Sequence, residues 1–196
     1  KVKFVDRTFN CNPKRAAELM RYITEKGGNT VFHMEVAADL LNDEIIDIVD
    51  RAPAGKFQFE IGVQSTHMQT LQEIDRRMDI DRVRQNVGKL LQTGKAHLHL
   101  DLIAGLPEEG MSTFKNSFND VYAMRPHMLQ LGFLKLLRGT RLREKAEGYG
   151  YKYTTYPPYE VLQSPWLAFE DVSMLKDVEE MLERYYNSGM FAYTLD

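Results

Sequence analysis

Along the chain, short stretches in which apolar and polar residues alternate give way to stretches in which apolar residues recur every three or four positions. The alternating stretches predict five strands, at Lys1–Asp6, Thr30–Val36, Phe57–Gln64, Ala96–Ala104 and Met128–Leu134. The segments between them predict helices. Asn12 as N-cap and Pro13 at the first helical position open one that Gly27-Gly28 ends. Asn42 or Asp43 opens a second, through Arg51, broken by Pro53-Ala54-Gly55. Thr66 and Gln69 have the spacing of a capping box and predict helix to Ile74, and Asp79 or Asp81 opens another through Gln92. Ser112–Met124 follows the fourth strand and Gly139–Glu147 the fifth. A loop from Tyr149 to Trp166 precedes an amphipathic helix over Glu170–Tyr186, with Leu175, Val178, Leu182 and Tyr185 on its covered face. Strand and helix in alternation predict an α/β fold with a parallel sheet, in one domain over residues 1–196.

Strands covered on both faces read as continuous apolar runs, and these do not. In the second strand, His33 and Glu35 oppose Phe32, Met34 and Val36. In the third, Gln58, Glu60, Gly62 and Gln64 oppose Phe57, Phe59, Ile61 and Val63. In the fourth, His97, His99 and Asp101 oppose three leucines, and in the fifth Gln130 and Gly132 oppose Leu129, Leu131 and Phe133. Burying such a polar face unpartnered would cost several kcal/mol per group, of order 2–7. Either the face is open to solvent or self-satisfied, or it is the inner wall of a barrel that takes a polar ligand at the C-terminal strand ends. Five strands are too few to close an eight-stranded barrel, so the expected form is a partial, open TIM-like (β/α) barrel with about five parallel strands.

Composition narrows the chemistry. With 25 basic and 28 acidic residues the chain carries no footprint for nucleic acid, and no apolar run reaches the ~18 residues of a membrane span. The single cysteine, Cys11, rules out an internal disulfide or a multi-thiolate metal site and is consistent with a reducing cytoplasm. His33, His97 and His99 lack the spacing of a ligand triad and read as packed or networked side chains. The tyrosine run from Tyr151 to Tyr159 reads as a packed surface loop or a place of substrate approach.

Three motifs together carry a family resemblance. They are Ile61-Gly62-Val63-Gln64-Ser65 with Leu71, Ile74 and Arg76; Asp101-Leu102-Ile103-Ala104-Gly105-Leu106-Pro107-Glu108; and Leu134–Leu137 ahead of Gly139-Thr140. In this combination nearly the whole chain resembles the core of radical S-adenosylmethionine (SAM) enzymes. It is most similar to the cobalamin-associated branch that includes the anaerobic Mg-protoporphyrin IX monomethyl ester oxidative cyclases. The resemblance implies a six-unit partial barrel whose first unit carries three cysteines for a [4Fe–4S] cluster. SAM chelates the open iron, and reductive cleavage of SAM precedes hydrogen abstraction from a small-molecule substrate.

The chain lacks that cysteine triad. It is therefore expected to be truncated before the first strand, inactive alone, and completed by the missing N-terminal part of the same protein, which would carry the cluster and could add a cobalamin domain. The alternatives are a degenerate, non-catalytic barrel and an ordinary barrel enzyme using Glu35, Glu60 and Asp101 as acid and base. An unpaired first-strand edge would invite dimerisation.

The resemblance also implies roles for residues. Glu35 would meet the SAM amino group, Gln64, Ser65 and Glu60 the ribose, and Arg76 the carboxylate. Asp101, Ile103 and Gly105 would lie near adenine, Ile103 touching the base and Gly105 letting the main chain approach it. The main chain of Leu134–Leu137 would also bond adenine. Plainer readings stand beside these: internal hydrogen bonding for the polar groups, a solvated helix end for Arg76, and simple turns at Pro107 and Gly110.

Overall fold

The computed structural model describes residues 1–195. Five parallel strands form one sheet in chain order: β1 (Val2–Lys3), β2 (Phe32–Glu35), β3 (Phe57–Gln64), β4 (His97–Ala104) and β5 (Met128–Phe133). Phe32 pairs with Phe57 and Glu35 with Glu60, so the polar residues of β2 and β3 share a face. Helices α1 (Pro13–Lys26), α2 (Asp43–Arg51), α3 (Met68–Glu73), α4 (Ile80–Thr93) and α5 (Met111–Ala123) lie between the strands. This is the expected α/β arrangement of a partial barrel. The first strand is shorter than the alternation predicted, two residues in place of six.

The predicted helix starts hold where a side chain can accept an amide. Asn12, Asn42 and Asp79 accept the N–H groups of Arg15, Ile45 and Arg82 at 3.1, 3.0 and 3.0 Å. The capping box at Thr66 and Gln69 does not form. The helix begins at Met68, and the Thr66 hydroxyl donates to Asp120 instead, at 2.8 Å. A tertiary partner has displaced a local one.

The chain divides into two compact units. The first comprises Lys1–Val63, Met78–Leu100 and Met124–Met128. Its core is the apolar face of β2 and β3 with Ala16, Met20, Ile45, Val49, Val83 and Val87, all buried, from α1, α2 and α4. Buried Asn86 donates to the Ala38 and Leu41 carbonyls, so the chain entering α2 has its main chain satisfied from α4.

The second unit comprises Gln64–Arg77, Asp101–Ala123 and the residues from Leu129 on. It contains α6 (Arg141–Glu144), an antiparallel pair β6 (Lys152–Tyr153) and β7 (Val161–Gln163), α7 (Phe169–Met181) and a terminal α8 (Ala192–Leu195). The pair lies inside the segment expected to be a loop. The Val161 N–H donates to Leu134 O and the Leu136 N–H to Tyr159 O, so this pair extends the main chain beyond β5. A buried cluster of Leu106, Leu134, Leu136, Ala146, Tyr151 and Val161 forms beneath it. Past Met181 the helix widens to a π-turn at Leu182–Asn187, which leaves Tyr185 exposed rather than on the covered face. No helix among the described residues is long and apolar enough to cross a membrane.

Candidate functional site

Both long strands alternate between buried and half-buried residues, so their polar side is partly open. In the first unit that side forms a linked network. Lys3 Nζ lies 3.9 Å from Glu35 and 3.2 Å from Glu60. Glu60 also accepts from His33 Nε2 at 2.7 Å, the only direction a carboxylate allows. Burial works to raise the Glu60 pKa, but the bonds from His33 and Lys3 together outweigh it and hold Glu60 below the usual carboxylate value. Lys1 donates to Gln58 Oε1 at 2.5 Å. That leaves the Gln58 amide N–H to donate to His99 Nε2 at 2.7 Å, which fixes His99 as the neutral acceptor. Burial, then neighbouring His97 and His33, lower the His99 pKa to about 4. His97 packs at 4.9 Å between His99 and His127, and burial first lowers both His97 and His127. Glu35 and Glu60 are thus brought together, but around the Lys3 ammonium. Either could take a ligand's amino group only after Lys3 leaves.

The second unit is built differently. Gln64 ends β3 with φ +72, a left-handed conformation that costs a non-glycine residue about 1–2 kcal/mol. Its side chain is half-buried. Ser65 is fully buried and donates to Glu109 Oε1 at 2.6 Å, while Ser117 donates to the same oxygen at 2.7 Å. The His67 N–H closes on Ser65 Oγ at 2.9 Å. The Ser65 side chain is therefore committed internally, and only its main chain can meet a ligand. Glu109 is 1% exposed, and its second oxygen, Oε2, has no hydrogen-bond partner among the described residues. Burial raises the Glu109 pKa against the opposing bonds from Ser65 and Ser117. The Ser65–Glu109 bond ties the loop after β3 to the loop after β4.

On that second loop Gly105 has φ +89, where a side chain would be strained, and exposed Glu108 has φ +62. Asp101 and Ile103 are half-buried on β4. Beside Ile103 lies Gly132 of β5, where a Cβ would stand 4.0 Å from Ile103 Cγ1 and 3.5 Å from Leu102 O. The missing side chain leaves Ile103 uncovered on that flank, as a narrow apolar shelf. Arg76 is half-buried in the turn after α3. The N–H groups of Leu134, Leu136 and Leu137 are all donated internally, to Ala104, Tyr159 and Lys135. Their carbonyls also accept within the protein, from the Val161 N–H, the Arg143 guanidinium and Thr140 respectively.

Glu109 and Ser117 escaped the sequence reading, and Tyr151 entered it only as the start of a tyrosine run. Glu108 and Glu109 are adjacent and identical in kind, and only the turn decides which one is buried.

Residues 147–196 match a family described as a protein of unknown function (DUF4080). The oxygen-independent coproporphyrinogen-III oxidase-like protein HemZ of Bacillus subtilis (strain 168) is 23% identical over 111 residues, 57% of this chain and 22% of HemZ. Among solved structures, the radical SAM coproporphyrinogen III oxidase HemN of Escherichia coli is similar over 88% of this chain and 37% of its own, with a TM-score of 0.63 and 16% identity. The radical SAM methyltransferase TsrM of Kitasatospora setae, with tryptophan substrate and a SAM analogue bound, matches over 80% of this chain and 33% of its own. Its TM-score is 0.65 at 14% identity. This chain shares the fold of these two enzymes over most of its length. It spans about a fifth of the curated relative and about a third of the solved chains.

TsrM has also been seen with cobalamin and a [4Fe–4S] cluster bound. The donors of the present chain do not fit such a cluster. Cys11 is its one cysteine, exposed in the turn Phe9–Cys11, and no three His, Cys, Asp or Glu side chains converge as a metal-holding group among the described residues. For a nucleoside the second unit fits better. It offers an apolar shelf at Ile103 and Gly132, a half-buried amide at Gln64 and a side-chain-free turn at Gly105.

Proposed function

We propose that this chain is the SAM-binding part of a radical SAM enzyme acting on a small-molecule substrate in the cytoplasm. The observation that carries this reading is the braced pair of strand-end loops in the second unit. Left-handed Gln64, a strained form for a residue with a side chain, and the Gly105 turn are tied together by the buried Ser65–Glu109 bond. Strain of this kind persists where a ligand site requires it, and open α/β sheets bind ligands beyond the carboxyl ends of their strands.

When bound to its cluster, SAM supplies a 5′-deoxyadenosyl radical on one-electron reduction. The residues of this chain bind and orient. Ile103 and Gly132 offer the face of adenine an apolar surface, the Gln64 amide can donate to and accept from ribose hydroxyls, and Gly105 admits the main chain to close approach. Arg76 and Asp101 are assigned to the carboxylate and adenine ends by resemblance. The cluster thiolates come from outside these 196 residues. The cobalamin-associated, Mg-protoporphyrin cyclase-like branch is supported by the motif combination and by the likeness to TsrM. A second reading, a non-catalytic barrel serving as a binding module, is favoured by one observation, the single cysteine of the sequence.

The test is iron and sulfide content, with low-temperature EPR, on the full-length protein reconstituted without oxygen. About four irons per chain and a reduced-cluster signal that shifts on SAM addition are expected. An intact protein that takes up no cluster yet remains folded would leave the binding-module reading in place.

A further inference from the structure

The segment matched to the family of unknown function begins at residue 147 and includes Tyr151, Val161 and Trp166. These three residues contact the turn after β4 at both of its ends. The buried Tyr151 hydroxyl donates to Gly105 O at 3.0 Å. A Cβ on Gly105 would stand 3.6 Å from Val161 Cγ1, and one on Gly110 only 2.9 Å from Trp166 O. Between those ends Leu106 belongs to the same buried cluster as Tyr151 and Val161, and Ile103 and Trp166 pack against it. Burial drives the Tyr151 pKa upward, so the phenol stays a donor.

The turn is held on one side by the bonds of Glu109 to Ser65 and Ser117. It contains a glycine at φ +89 and a glutamate at φ +62, and such backbone has a large ordering entropy when left unsupported. A turn fixed in advance spares a ligand that cost. We propose that Tyr151–Trp166 is a clamp that sets the Gly105–Gly110 turn for SAM, with Tyr151 as its positioning residue. This rests on the reading of the second unit as a SAM site, and it gives part of a segment of unknown function a task.

The experiment compares wild type, Tyr151→Phe and Tyr149→Phe in the full-length protein. SAM affinity is measured by equilibrium dialysis, and amide exchange is measured without ligand. Losing one buried hydrogen bond to the turn should weaken SAM binding about five- to tenfold. It should also speed exchange over Leu106–Gly110 with little change in α5. Tyr149 packs against Tyr151 at 6.0 Å but bonds Glu73 and Lys145, so its variant should match wild type in both readouts. A Tyr151→Phe protein with affinity within twofold of wild type and unchanged exchange overturns the clamp.

If that variant does not fold, Gly110→Ala presses on the Trp166 carbonyl from the other side and should give the same pair of changes. Normal affinity and exchange there overturn the proposal equally. A wild-type protein that does not bind SAM overturns the cofactor reading, and the exchange arm then decides the clamp without it.

Discussion

The two units satisfy their polar groups in opposite ways. In the first, Lys3, Glu35, Glu60, Gln58, His33 and His99 share a half-open face and are linked by side chains from different strands. In the second, a buried acid is sealed between two loops with serine hydroxyls as its partners and one oxygen left over. A half-open network can draw on water and tolerate the loss of a member. A sealed one cannot, because each lost partner leaves a desolvated group behind. The difference ranks the consequences of substitution.

The largest effect should come from Glu109. Glu109→Ala leaves the Ser65 and Ser117 hydroxyls without their acceptor and opens a cavity, at a cost of about 2–4 kcal/mol in urea unfolding. Glu109→Gln keeps an oxygen for both serines, so its cost should stay near 1 kcal/mol. Should the glutamine variant be as damaging as alanine, the serine bonds are not what holds this network together and the contrast between the units fails.

How much of this was legible beforehand follows from the same difference. The polar faces of β2, β3 and β4 could be read directly, because a strand's two-residue period is set by covalent geometry. The caps Asn12, Asn42 and Asp79 were legible because their partners lie three residues away. Glu109 was not, since its partners Ser65 and Ser117 are 44 and 8 residues distant and its neighbour Glu108 offers the same carboxyl. The β6–β7 pair was missed for a related reason. Its strands are two and three residues long and are held by main-chain bonds to Leu134 and Leu136, which no periodicity announces. The folding motifs were local and the brace was not.

An intermediate effect should appear as opposite responses to pH. His97, His99 and His127 have folded pKa values below the ordinary 6.5. Their contribution is complete above pH 6.5 and is lost as pH falls toward the folded values, about 4 for His99. Glu109 has a folded value above the ordinary 4.5, so its contribution is complete below pH 4.5 and is lost as pH rises through the folded value. Segment-resolved exchange protection should therefore decline in β4 as pH falls below 6.5 and in α5 as pH rises above 4.5. Since His99 is only half-buried, its share after solvent screening is on the order of 1 kcal/mol, or roughly 2–4 °C in Tm. His99→Gln should flatten the response in β4 and Glu109→Gln the one in α5. A common pH response in both segments would mean that the two networks titrate as one.

The smallest effect should come from Lys3, and it tests the first unit's openness directly. Lys3 reaches two carboxylates, but its side chain is about half exposed, and Glu60 keeps its His33 bond when Lys3 is gone. Exposed ion pairs contribute about 0.2–1 kcal/mol and are screened by salt. A double-mutant cycle with Lys3→Ala and Glu60→Gln should give a coupling of about 0.5 kcal/mol that fades in about 1 M salt, where the Debye length is near 3 Å. Loss of Lys3 should also free the carboxylate pair for another ammonium, so methylammonium should protect Lys3→Ala more than wild type against urea. A coupling above about 1.5 kcal/mol that salt does not touch would instead make this network as sealed as the one around Glu109.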